Sequence, residues 1–191
     1  GVGRDLDSAV LLVARLFVSP FSRVPYRMLQ RLPLNSDWRY SPDFLQDYVH
    51  ADFDDSSFES VRIPHSNREV PFNNFDESIY QFHSCYRRCL WIDELDDDTR
   101  VYVRFEAVMT AALVYLNGQV VGEHRGGYTQ FRLDLTEHAL PDAFNTLVVH
   151  VDSTERRDTP PFGHVLDYLT FGGIYREVTL EYVDAIHISA A

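Results

Sequence analysis

Cys85 and Cys89 stand four residues apart in the run Tyr80-Gln-Phe-His-Ser-Cys-Tyr-Arg-Arg-Cys-Leu-Trp91, and His83 precedes the first of them by two. Thiols and imidazoles can bind a metal, and two thiols can close a disulfide. If the run is a strand, the spacing sets the cysteine Cα atoms about 13 Å apart. A disulfide needs them within about 7 Å. His83, Cys85 and Cys89 would share one face of that strand, and three residues on one face of one strand do not surround an ion, so they read as packing residues. Nucleophilic and phosphate chemistry lack support as well: the chain has no Gly-x-Ser-x-Gly elbow, no phosphate-cradling glycine loop and no His-Glu-x-x-His run, and its eight histidines are scattered. No metal and no cofactor is expected. The most informative polar residues fall in two long connections, 63–78 and 152–173. Aperiodic segments of that length in a compact domain tend to be functional or disordered. Phe162, Tyr168 and Phe171 offer the second connection apolar anchors, which favours order.

The elements that must hold these connections read as strands. Beyond residue 80 the dominant hydrophobic period is two, the mark of half-buried strands. Val101, Val103 and Phe105 alternate with Tyr102, Arg104 and Glu106; Phe131, Leu133 and Leu135 alternate with Arg132 and Asp134; Leu147, Val149 and Val151 alternate with Val148, His150 and Asp152. Val178, Leu180 and Tyr182 give one more. Asn117-Gly118, flanked by apolar residues on both sides, supplies the positive φ angles of a two-residue type I′ hairpin turn. No stretch of a dozen residues after Met28 shows a helical apolar face. The class is all-β, and short strands every 8 to 12 residues or so argue for two packed antiparallel sheets. The expected core includes Val103, Phe105, Leu133, Leu135, Val149 and Val151.

Length and composition fit one soluble domain: 191 residues, 45% hydrophobic and 24% charged. A formal net charge of −12 with no basic run disfavours nucleic acid and anionic membranes. The apolar run 9–18 is too short to span a bilayer and is interrupted by Arg15. It does not read as a signal peptide either, because Asp5 and Asp7 occupy the region that should be positive. The absence of a workable cysteine pair and of any Asn-x-Ser/Thr site fits a reducing, cytoplasmic compartment.

A set of ordered motifs carries a more specific reading. Leu34-Asn-Ser-Asp-Trp38 comes first, then Ile63-Pro-His65 and Val70-Pro-Phe-Asn-Asn-Phe-Asp-Glu77, then Tyr86-Arg-Arg88. Val114-Tyr-Leu-Asn-Gly118, Val121-Gly-Glu-His-Arg-Gly-Gly-Tyr-Thr-Gln-Phe131 and Asp134-Leu-Thr136 follow, and Asn145-Thr-Leu-Val-Val-His-Val-Asp152, Pro160-Pro161 and Gly172-Gly-Ile-Tyr-Arg-Glu-Val178 close the chain. Over residues 34–188 this order resembles the amino-terminal sugar-binding domain of family 2 glycoside hydrolases, the β-galactosidase and β-glucuronidase kind. Leu34 to Trp38 resembles that domain's opening strand.

The resemblance implies a galactose-binding-like jelly-roll β-sandwich over residues 28–191, preceded by an additional segment, 1–27, of unassigned role. It also implies a non-catalytic domain that completes an active-site rim and contacts the nonreducing-end sugar of a β-glycoside. The residues it points to are Asp167, six positions before Gly173, and Asn74 or its neighbour Asn73 in the first connection. A carboxylate accepts hydrogen bonds from sugar hydroxyls, and an amide both donates and accepts. Retaining glycoside hydrolysis needs two carboxyl groups about 5 to 5.5 Å apart. In the resembled family these belong to a (β/α)₈ barrel of about 250 residues, for which this chain has no room, and no asparagine here is followed by the glutamate of the family's acid/base pair. The expected partners are the β-glycoside and the parent's downstream immunoglobulin-like domain and catalytic barrel, with a homo-oligomer also open. Two other readings stand beside this one: an autonomous carbohydrate-binding module, and a purely structural or oligomerisation domain.

Overall fold

A computed structural model describes residues 29–71, 73, 76–163 and 170–185. The segment 1–27 lies outside them. Among the described residues, ten strands form two antiparallel sheets. The smaller sheet has the order β1 (Gln30–Pro33), β10 (Val178–Asp184), β5 (Thr99–Phe105), β8 (Phe131–Asp134). The larger runs β3 (Glu59–Val61), β2 (Trp38–Ser41), β4 (His83–Ile92), β9 (Ala143–Asp152), β6 (Ala111–Leu116), β7 (Gln119–Arg125). The all-β sandwich expected from the alternation is the fold observed.

The inner faces of the sheets meet in one core. Val101, Val103, Phe105, Leu135, Leu147, Val149 and Val151 are fully buried in it with Trp38, Tyr86 and Tyr182. Burying an aliphatic or Phe side chain contributes about 1.5 to 3 kcal/mol, so the period-two pattern in the sequence is also the main source of stability. Leu133 departs from expectation. It is only partly buried, at the core margin, where its side chain occupies the space above Gly122.

Asn117 and Gly118 adopt φ angles of 52° and 82° and turn β6 into β7. The Asn117 side chain also accepts from the Thr146 amide at 2.9 Å and donates to Asn145 Oδ1 at 2.7 Å, which fastens the turn to β9. Leu34 to Trp38, expected as an opening strand, instead forms a corner that carries the chain from the smaller sheet to the larger. Asp37 sits at φ 63°, and the Trp38 indole donates back to the Leu34 carbonyl at 2.5 Å.

The middle of the larger sheet is covered on both faces, contrary to the one-face reading of β9. A strap preceding β3 carries Phe44, Tyr48, Val49, Phe53 and Phe58 onto the outer side, where they cover Cys85, Tyr115 and Val148. Val148 was expected to face solvent and is fully buried for this reason. Arg87 holds the strap from beneath. It pairs with Asp55 at 2.9 Å and donates to the carbonyls of Tyr48, His50 and Phe53. Replacing Arg87 with Met strands those acceptors. It should cost about 2 kcal/mol, read as a lowered denaturant midpoint at unchanged slope.

Candidate functional site

Both long connections return to the same end of the sandwich. There, Tyr80 and Gln81 just after the first, Ser153, Glu155, Pro161, Phe162, Gly163 and Thr170 from the second, and Met109 and Thr110 between β5 and β6 line a small open cleft of about 20 Å³.

Beneath the cleft lies a buried polar network centred on Asn67. Its backbone N–H donates to the Gly172 carbonyl at 3.0 Å, and its carbonyl accepts from the Tyr40 hydroxyl at 3.0 Å. Its side-chain amide donates to the Tyr80 carbonyl at 2.9 Å and to Ser153 Oγ at 3.2 Å. Ser153 Oγ in turn donates to the Met109 carbonyl at 2.8 Å, and the Tyr80 hydroxyl is bonded to Thr170 Oγ1. Gly172 and Gly173 permit this closeness: a Cβ on Gly172 would collide with the Asn67 side-chain amide, and Gly173 has φ 102°, where a Cβ would meet the Tyr86 hydroxyl and the His65 carbonyl. His65 bonds the Tyr86 hydroxyl at 2.9 Å. Burial lowers the His65 pKa, which the Glu59 carboxylate offsets only in part, and burial pushes Tyr86 well above the usual tyrosine range. Both therefore act as neutral hydrogen-bonding groups here.

At the open side, Glu155 shapes the second connection. Its carboxylate accepts from the Gly163 amide at 2.7 Å, and its own amide donates to Gln81 Oε1 at 3.2 Å. Such an arrangement can present hydroxyls and carbonyls to a polyhydroxyl ligand. Among the described lining residues it contains one carboxylate, Glu155, and among the described residues no group of three His, Cys, Asp or Glu side chains could hold a metal.

Of the residues expected to contact sugar, Asn73 is exposed in a turn of the first connection. Asn74 and Asp167 lie outside the described residues. Gly163 and Thr170, the described residues on either side of Asp167 in the chain, both line the cleft. The aromatic anchors differ from expectation. Phe162 and Phe171 are 51% and 39% exposed, and Tyr168 lies outside the described residues. Buried polar side chains, Ser153, Thr159 and Thr170, hold the second connection instead. Asn67, Tyr80, Ser153 and Thr170 were not singled out from the sequence, because a polar residue in an aperiodic loop carries no signal of burial.

Other aromatic, arginine and cysteine residues of the motifs have structural places. Trp38 is core, whereas Trp91 is exposed and packs edge-on against Phe144 at 5.1 Å. The Tyr175 hydroxyl donates to the Gly127 carbonyl. Arg88 donates to the Ser36 carbonyl at 2.8 Å, and Arg176 lies near the Tyr175 ring. Cys85 and Cys89 are both free; Cys85 is buried under the strap, with its pKa pushed up to about 12 by burial, and Cys89 is exposed.

Residues 34–183 match the family described as glycosyl hydrolases family 2, sugar binding domain. A β-galactosidase of Thermoanaerobacter pseudethanolicus is 48% identical over 158 residues, which are 82% of this chain and 21% of that protein. One from Thermoanaerobacterium thermosulfurigenes is 48% identical over 162 residues, 84% of this chain and 22% of that protein. Among solved structures, a Bacteroides uniformis β-glucuronidase superposes with a TM-score of 0.67 at 30% identity, covering 81% of this chain and 18% of that one. The chain therefore spans about a fifth of the length of the curated relatives it matches. From its ordered motifs, its two-sheet sandwich and these matches, this chain belongs to the sugar-binding domain family of the family 2 glycosyl hydrolases.

Proposed function

We propose that this domain completes the active-site rim of a family 2 glycosyl hydrolase and contacts the nonreducing-end sugar of a β-glycoside, while a downstream barrel in the parent chain performs the hydrolysis. The observation that carries this reading is a cleft lined by the second long connection and by Tyr80 and Gln81, with Asn67 of the first connection bonded beneath it to Tyr80, Ser153 and Gly172. Rigid placement of loops at a sandwich end suits hydrogen-bond donors and acceptors offered to a ligand that a neighbouring domain also holds. The 48% identity to two β-galactosidases supports a β-galactoside over a β-glucuronide. The two free cysteines support placement in a reducing, cytoplasmic compartment.

The two other classes predict different behaviour. An autonomous carbohydrate-binding module gains affinity from aromatic platforms, and here the exposed Trp91 and Phe144 stand across from one another on β4 and β9, at the strand ends opposite the cleft. Two sugar hydrogen bonds at about 1.5 to 3 kcal/mol each hardly exceed the roughly 4 kcal/mol or more that association costs. Titration calorimetry of the isolated chain should therefore give millimolar or weaker affinity for galactose and for glucuronate, and the chain should release no aryl group from aryl β-glycosides. Micromolar affinity for either monosaccharide would favour the autonomous module.

A further inference from the structure

We infer that Asn67 is the positioning residue that fixes the two long connections relative to each other beneath the cleft, and through them the affinity of the parent enzyme for its substrate. The inference rests on the sugar-contact reading proposed above and adds a residue that need not touch the sugar. Asn67 is 6% exposed. Through this one residue of the first connection, the turn that follows it (Tyr80 carbonyl), the start of the second (Ser153 Oγ) and the end of the second (Gly172 carbonyl) are joined, and Ser153 extends the chain to Met109. The role is specific to an amide. Two donors on one nitrogen reach two acceptors on different segments, which neither a hydroxyl nor a carboxylate can do. Asn67 Oδ1 meanwhile has no hydrogen-bond partner among the described residues, a cost that an apolar space-filler at this position would not carry. Gly172 is the matching half: its missing Cβ is the space the Asn67 amide occupies.

The test uses the full-length parent enzyme carrying Asn67→Ala, Gly172→Ala, or both. Gly172 does not sit at positive φ, so alanine fits its backbone, and the added Cβ displaces the amide without removing it. Each single variant should raise KM for an aryl β-galactoside about tenfold with kcat within about twofold, since uniform binding is lost. Amide hydrogen exchange should quicken in peptides spanning 63–80 and 153–173 and stay unchanged in β4 and β9. The double variant should be no worse than either single one, because both break the same contact. Unchanged exchange in the two connections, or an additive double variant, overturns the inference, and Gly172→Ala decides the matter if Asn67→Ala fails to fold. Quickened exchange with unchanged KM overturns the link to substrate and counts against the sugar-contact reading. If Asp167→Ala lowers kcat/KM while Asn67→Ala leaves KM alone, the positioning role fails and the reading stands.

Discussion

Replacing Val149 with aspartate is expected to abolish cooperative folding of the domain. Val149 lies on β9, between β4 and β6 in the larger sheet, opposite Tyr86 on one neighbour and Val114 on the other, and all three are fully buried. A carboxylate there has neither water nor a cationic partner. Burying even an unpaired neutral polar group costs about 2 to 7 kcal/mol, comparable to the whole stability of a small domain, roughly 5 to 15 kcal/mol. A thermal scan by circular dichroism should show no sigmoidal transition, or the variant should be recovered insoluble. Leu133→Asp provides the graded control: Leu133 sits at the core margin, so its aspartate can reach water and the variant should melt cooperatively at a reduced temperature. A Val149→Asp protein melting like the wild type would contradict the packing of the two sheets described above.

The contrast between these two positions shows how much of the fold the sequence carries. Alternation identified β5, β8, β9 and β10, because a half-buried strand writes its burial into every second residue. It placed Val149 correctly and overstated Leu133, since periodicity reports which face a residue occupies and not how far along the strand the opposing sheet extends. Asn117-Gly118 was legible as a turn because its φ angles are a local requirement. Val148 was misplaced for a non-local reason: the strap that covers it is aperiodic, and its aromatic residues at 44, 48, 53 and 58 keep neither a helical nor a strand period. The second long connection, unusual in length, was legible and lines the candidate cleft, while the polar network beneath it was not. Asn67 and Ser153 are ordinary loop residues in sequence and acquire their roles only because residues far apart in the chain, 67, 153 and 172, are brought together.

Asp167→Ala in the full-length enzyme tests most directly the proposed placement of substrate at this end of the sandwich. Asp167 lies between Gly163 and Thr170 in the chain, two residues that line the cleft. The rim role proposed above has it contact the terminal sugar. A hydrogen bond from a hydroxyl to a carboxylate contributes about 1.5 to 3 kcal/mol. Its loss corresponds to a roughly 10- to 150-fold fall in kcat/KM on aryl β-galactosides. A residue that serves to contact ligand should leave the melting temperature close to that of the wild type, which separates this outcome from unfolding. A fall of that size with an unchanged melting temperature is the predicted result; wild-type kcat/KM on both aryl β-galactosides and aryl β-glucuronides, for whichever the parent cleaves, would contradict it.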